Sequence, residues 1–327
     1  MRVLTRNDVK ALVSMPEAIG LMKVAFADLA RGDAQSPLRT PVHVEGGVSL
    51  VMPAYVPSAQ ALGLKVVSVF SENKRRGLPT ITSLVTILDH ETGQPLAVMD
   101  GGYLTALRTG AVSGAATDLL ARPNSRNLTI IGTGAQAVTQ MAAVCAVRPI
   151  ETVHVVARSE EGGERFLEAV SKDWPDLTSL VIITRDIGGS VAQADIICTA
   201  TSSSTPVFSD EHVLPGTHIN GVGSFTPSMQ EVPAETVVRA TVVVDQIEPA
   251  LEEAGDLIIP LEAGLITRDH LRRELGHLVL GDVEGRTSDD EVTFFKSVGN
   301  AVQDLVTARA AYEAAEKLGI GQEVSLL

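Results

Sequence analysis

Residues 129–140 read TIIGTGAQAVTQ: an apolar run, Gly132 and Gly134 separated by Thr133, then Ala135, Gln136 and Ala137 opening a stretch of small residues at helical spacing. These types in this order suit the pyrophosphate of a dinucleotide. Gly132 permits a tight turn, Gly134 lets backbone approach the phosphates, and Ala137 lets the helix lie close on the strand. Free N–H groups at the helix N-terminus, with the helix dipole behind them, then hold the anion. A plain strand–turn–helix produces similar letters, so the context has to decide. About twenty residues further on, NAD-selective proteins place Asp or Glu against the ribose hydroxyls. Here the corresponding run, VHVVARSEEGGERF, offers Ala157, Arg158 and Ser159 instead. An arginine and a hydroxyl suit a 2′-phosphate, so NADPH is the expected cofactor, with NADH admitted if Glu160 takes the acid's part.

Two basic residues stand where their neighbours are apolar or small. Lys65 lies in LKVVSVF, and strand alternation puts it on one face with Val67 and Val69. Such a lysine either snorkels at a sheet edge or is buried, with a depressed pKa and a proton to offer. Arg108 lies in DGGYLTALRTGAVSGAATDLL. With Thr105 as the helix cap, Arg108 falls in the first turn, where the dipole disfavours a cation. An arginine there points to a companion anion, and a bidentate carboxylate fits the guanidinium fork; a solvated surface arginine is the alternative.

The elements that must position these residues fall into three zones. In the first, SMPEAIGLMKVAFADLARGD has helical spacing, a Ser14 cap with Glu17 three residues on, and Gly32 as a stop. LKVVSVF, TSLVTILD and PLAVMD follow as strands between Gly, Pro and Asn turns. From about residue 126 to 245, the apolar runs NLTIIG, TVHVVA, SLVIIT, ADIICTA, THINGVG and ATVVVD alternate with helical stretches. Continuous apolar runs of this kind belong to a parallel sheet covered on both faces. From about 292, VTFFKSVGNAVQDLVTARAAYEAAEKLG reads as one long amphipathic helix returning to the first zone. The expected fold is therefore α/β: a Rossmann doubly wound parallel sheet over residues 119–295, and a second, mixed α+β domain from residues 1–118 plus 296–327.

Composition narrows the function classes. The chain has 327 residues, 45% hydrophobic, and a formal net charge of −14, which argues against a nucleic-acid-binding surface. No apolar run is long enough for a membrane span, and the first residues lack a signal-peptide core, so a cytoplasmic protein is expected. Cys145 and Cys198 have no metal-type spacing and read as reduced core residues. No metal is expected.

With these motifs in place the chain resembles the ornithine cyclodeaminase/mu-crystallin family. The likeness runs through SPLRTPVHV, GLKVVSVFSENKRRGLPTITSLVTILDHETGQPLAVMDGGYLTALRTGA, IIGTGAQA, HINGVGSFTPSMQEV, EAGDL and FKSVGNAVQDL. It implies a homodimer with a Rossmann domain and a substrate/dimerisation domain. It also implies that Arg39 and Arg108 bind a substrate carboxylate and that Lys65 is the catalytic lysine. Gly132, Thr133, Gly134, Ala135 and Gln136 would meet the pyrophosphate, Arg158 and Ser159 the extra phosphate, and Val222, Gly223 and Ser297 the nicotinamide.

One departure bears on the reaction. Cyclodeaminases and the alanine dehydrogenase type of this family carry an aspartate after VGA that works on the substrate amine; this chain has Ser224 and Phe225 there, and no carboxylate until Glu231. Deaminating ornithine needs proton transfers at two nitrogens, whereas reducing a preformed cyclic imine needs a carboxylate clamp, a hydride donor and one proton. The resemblance therefore implies an NAD(P)H-dependent ketimine reductase, converting Δ1-pyrroline-2-carboxylate to L-proline and Δ1-piperideine-2-carboxylate to L-pipecolate. A cyclodeaminase or alanine-dehydrogenase-type oxidoreductase, and a mu-crystallin-like ligand-binding protein, are the alternatives. Phe225 is expected either beside an apolar ring or in the core.

Overall fold

The computed structural model describes residues 1–325. The chain forms two compact units, Met1–Arg108 with Gly299–Leu327, and Thr109–Val298. The first holds a mixed seven-stranded sheet. Its strands are β1 (Arg2–Leu4), β2 (Thr40–Val44), β3 (Gly47–Val56), β4 (Ala61–Val69), β5 (Ile81–Leu88), β6 (Pro95–Asp100) and β14 (Gln322–Glu323), in the order β14-β1-β6-β5-β4-β3-β2. β4 lies inside this sheet, bonded antiparallel to β3 and β5 along its whole length. The helices Met15–Arg31 and Ala301–Leu318 pack on each other, and the latter also lies on β3, β4 and β5. The first of them starts and stops on the expected signals: Ser14 accepts from the Glu17 N–H at 3.4 Å, and Gly32 adopts φ +77°.

The second unit is an all-parallel sheet. β7 (Asn127–Ile131), β8 (Thr152–Val156), β9 (Val181–Thr184), β10 (Ile196–Thr199), β11 (His218–Gly221), β12 (Thr241–Val244) and β13 (Thr293–Lys296) stand in the order β12-β13-β11-β10-β7-β8-β9. All seven belong to the α/β doubly wound pattern, with strand order reversing direction between β7 and β10. In such sheets ligands bind outside the carboxyl ends of the strands at the reversal. Apolar clusters cover both faces, one built around Phe166, Met141 and Val170, the other around Phe294, Phe208 and Leu257. Cys145 and Cys198 are free thiols, and burial pushes both up to about 12, which keeps them protonated. Among the described residues no cluster of His, Cys, Asp and Glu could hold a metal ion, and no helix is long and apolar enough to cross a membrane.

Two sequence expectations are corrected. The segment from 292 is not one helix. Thr293–Lys296 is a strand inserted between β11 and β12, and the helix begins only at Ala301. A β-branched and aromatic run fits a buried strand, Gly299 breaks the chain direction at φ +86°, and Asn300 caps the helix in a reciprocal box with Gln303. Nor does Thr105 cap the helix that carries Arg108. That helix runs Gly101–Leu120, and Asp100 accepts from the Tyr103 N–H at 2.7 Å, the third helical position. Arg108 therefore sits two turns inside the helix, where no terminal field acts on it.

Candidate active site

In the first unit the three basic residues singled out from the sequence converge. Lys65 projects from β4 on the face shared with its cross-strand neighbours Met52 and Val85, and it is only 2% exposed. The edge-snorkelling alternative is thereby excluded, because an interior strand gives a side chain on its covered face no route to water. Its Nζ meets Asp304 Oδ2 at 2.6 Å. The other carboxylate oxygen, Oδ1, accepts from Arg108 Nε at 2.9 Å, and Asp304 is fully buried. Arg108 Nη1 donates to Gln303 Oε1 at 3.1 Å, the same oxygen that accepts from the Asn300 N–H at 2.7 Å. Arg39, half-buried, donates through Nη2 to the Gly299 carbonyl at 3.0 Å. A Cβ on Gly299 would stand 2.8 Å from Arg108 Nη1, so the glycine lets both guanidinium groups close on one point of backbone.

Electrostatics follow from this geometry. Burial is the largest influence on Lys65 and drives its pKa down from 10.5 to about 8. Arg108 and Arg39 push in the same direction, while Asp304 opposes them through charge and hydrogen bonding. The result is an ammonium that yields its proton near neutral pH, as a general acid must.

The sequence reading missed Asp304 and Gln303. Asp304 sits in the first turn of its helix, where a carboxylate is unremarkable because it complements the dipole. A signal existed nonetheless. With the helix begun at Ala301, Asp304 heads the buried stripe Asp304–Ala308–Ala311–Ala315, and an acid leading a stripe of alanines needs a buried partner. Placing the helix start near 292 hid that register.

The second unit carries the glycine turn at the carboxyl end of β7. Gly132 has φ +112°, and a Cβ there would lie 2.6 Å from the Ala200 carbonyl oxygen, so the fold itself demands glycine. Gly134 differs. Its backbone is extended, and a Cβ would meet nothing within 4 Å. It is also the N-cap of the helix Ala135–Val147, and no side chain caps that end. No described atom would crowd a side chain at this residue, and a helix start without a side-chain cap beside open space is the arrangement a pyrophosphate fits. Ala135 and Gln136 form the first turn, Gln136 Oε1 has no hydrogen-bond partner among the described residues, and Ala137 is fully buried. Thr133 borders the next crossover: a Cβ on Gly162 would lie 3.0 Å from its Oγ1. At the end of β8, Ser159 caps the helix Glu160–Asp173 by accepting from the Gly162 N–H at 3.2 Å, beside an exposed Arg158. The residues present therefore fit a dinucleotide.

At the end of β11, Val222 and Gly223 lie beside Ser297, whose N–H donates to the Gly221 carbonyl at 3.2 Å and whose Oγ donates to buried Asp245 at 2.8 Å. Ser224 spends its hydroxyl proton on the Met229 carbonyl at 2.8 Å. Phe225 is 41% exposed, so it is not core, contrary to one of the two expectations for it. Glu231, the next carboxylate after the VGS run, is buried and turned back onto that run, accepting from the Gly223 N–H at 2.7 Å.

Comparison with known proteins identifies the family. Residues 1–319 match the model of the ornithine cyclodeaminase/mu-crystallin family. The chain is 42% identical to a Delta(1)-pyrroline-2-carboxylate reductase of Bacillus cereus over 99% of both chains. It is similar to the solved Delta(1)-pyrroline-2-carboxylate reductase of Thermococcus litoralis in complex with NADH and L-proline, with 41% identity, a TM-score of 0.93, and coverage of 99% of this chain and 100% of the other. An archaeal alanine dehydrogenase dimer with bound NAD superimposes with a TM-score of 0.92 at 34% identity, over 100% of this chain and 99% of that one.

Breaking the buried charge cluster should be costly. Asp304→Ala leaves two cations facing each other without an anion, and a loss of about 3 kcal/mol or more is expected in urea unfolding. Asp304→Ala with wild-type stability would mean that the carboxylate does not neutralise Lys65 and Arg108.

Proposed function

The chain belongs to the ornithine cyclodeaminase/mu-crystallin family, and from that premise we propose that it is a nicotinamide-nucleotide-dependent reductase of cyclic imino acids, turning Δ1-pyrroline-2-carboxylate into L-proline. The observation that carries this reading is the buried Lys65–Asp304–Arg108 cluster, with Lys65 at about 8. Reduction of a cyclic imine asks the protein for an anion clamp and one proton. Arg108 keeps its Nη2 group for a substrate carboxylate, because Nε and Nη1 are taken by Asp304 and Gln303. Arg39 adds a second guanidinium around Gly299. Both charges fix the carboxylate and offset its repulsion of an arriving hydride. Lys65 supplies the proton to the imine nitrogen, and Asp304 keeps enough of the lysine charged to do so. The bound nucleotide supplies the hydride. The six-membered Δ1-piperideine-2-carboxylate presents the same carboxylate and imine and is the expected second substrate.

No base stands where cyclodeaminases need one: the Ser224 hydroxyl is committed to a backbone carbonyl, and Glu231 is committed to backbone N–H groups. That supports reduction over deamination. For the nucleotide, the end of β8 offers Ala157, Arg158 and the helix-capping Ser159, with no carboxylate on the strand itself, which favours NADPH over NADH. The assembly we propose is a homodimer. On the sheet face opposite Lys65, Val42 and Val44 are each 51% exposed and Leu84 is 43% exposed, around half-buried Leu62, Leu64 and Val66. An apolar face of this kind is suited to burial against a second copy.

Five measurements test the reading. Spectrophotometry should show NAD(P)H consumed with Δ1-pyrroline-2-carboxylate. Ammonia release from ornithine or alanine would instead indicate the deaminating chemistry, and imine binding without turnover a ligand-binding protein. Because Lys65 must be protonated to act, kcat/KM in the reductive direction should hold below about pH 8 and fall as pH rises through about 8. Lys65→Met should lose about a hundred-fold or more in turnover while still binding nucleotide; retained turnover would remove Lys65 from the chemistry. Arg158→Glu should lower kcat/KM for NADPH about ten-fold or more and spare NADH, and an unchanged cofactor ratio would displace the phosphate site. Light scattering should give twice the chain mass, with Leu84→Glu shifting it to a monomer; a monomeric wild type would rule the dimer out.

A further inference from the structure

Glu231 is a buried acid that the chemistry above does not use. Its carboxylate receives four donors. The Thr201 N–H reaches Oε1 at 2.6 Å, while Oε2 accepts from the Gly223 N–H at 2.7 Å, the Thr199 hydroxyl at 3.0 Å and the Ser224 N–H at 3.2 Å. Those donors belong to two different crossovers, one leaving β10 after Thr199 and one leaving β11 after Gly221. Parallel strands cannot bond to each other beyond their ends, so the N–H groups of two neighbouring turns would otherwise face one another without an acceptor. A single carboxylate supplies the missing acceptors. Gly223 has no room for a Cβ, which would run into Glu231 and the Thr201 carbonyl.

The acid is itself held from below. The backbone N–H groups of Glu231 and Val232 donate to Asp256 Oδ1 at 2.6 and 3.0 Å. Asp256 Oδ2 faces the Lys296 ammonium at 3.1 Å, and Lys296 reaches the Gly221 carbonyl at 3.3 Å. All three side chains are fully buried. Burial pushes the Glu231 carboxyl upward, while Lys296 and the Thr201 donor pull it back toward the ionised form that four donors require.

The place of this clamp is what gives it a role. The crossover after β10 abuts the glycine turn, since the Ala200 carbonyl is the atom a Cβ on Gly132 would strike. A dinucleotide straddles the strand-order reversal between β7 and β10. Its adenosine half lies toward β8, where Arg158 and Ser159 stand, which leaves the β10–β11 side for the nicotinamide half. We infer that Glu231 is a positioning residue for the nicotinamide half of the bound dinucleotide, fixing the two turns that receive it. This rests on the nucleotide reading above. It assigns the acid that follows the VGS run to cofactor placement rather than to proton transfer.

Calorimetry on the full-length protein with paired ligands separates this role from plain loop stability. NADH and NADPH are compared with ADP-ribose and 2′-phospho-ADP-ribose, which lack the nicotinamide ring. Glu231→Gln keeps the shape but turns one acceptor into a donor facing N–H groups. It should weaken the two complete nucleotides about ten-fold, as expected for losing charge-assisted bonds, and leave the two ring-lacking ligands within about two-fold. Thr199→Val removes one donor from the same carboxylate without altering the turns, and should show the same selectivity at about three-fold. If Glu231→Gln does not fold, Thr199→Val decides alone. Equal weakening of all four ligands, or no weakening, would overturn the inference. A wild-type protein that binds none of them would overturn the nucleotide reading itself.

Discussion

A single carboxylate, Asp304, makes the buried basic cluster of the first unit physically admissible. Lys65 and Arg108 are both buried, and two cations in a shared apolar environment repel each other while each loses its hydration. By contacting both at 2.6 and 2.9 Å, Asp304 turns an untenable pair into a cluster with one excess positive charge. That excess is the useful quantity. In the proposed reaction it is available to an anionic substrate, and it leaves the lysine proton loosely enough held to be given away.

The backbone elements around the cluster are arranged to make this neutralisation rigid. Lys65 comes from an interior strand held on both sides, and Arg108 from two turns inside a helix. Asp304 comes from the first turn of a helix whose start is fixed by the Asn300–Gln303 capping box. Gln303 serves twice, closing the cap and steadying Arg108 through one oxygen. A site built on regular elements keeps donor–acceptor distances that a loop would let drift.

In the second unit, polar groups are handled by the same logic with opposite charges. Three parallel strands end in turns whose N–H groups lack partners within the sheet. The fold answers with buried acids: Glu231 for the turns after β10 and β11, Asp245 for Ser297 and the Val298 N–H, and Asp256 behind Glu231. The helix start after Gly134 carries no side-chain cap, and a Cβ at that residue would enter open space.

Much of this was written in local sequence. Alternation of apolar runs with helical stretches fixes a parallel doubly wound sheet, because strands buried on both faces must be apolar throughout. The Gly132–Thr133–Gly134 turn, the Ser14 cap and the out-of-place Lys65 and Arg108 are all visible at short range, where spacing and residue type carry the physics. What the sequence could not show is which groups meet across the chain. TFFK became a strand because a slot existed between β11 and β12, Lys65 is buried because β4 is interior, and Arg108 found its anion in Asp304 nearly two hundred positions away. Ionisation and pairing depend on neighbours within a few ångströms, and those neighbours are set by tertiary contact, not by distance along the chain.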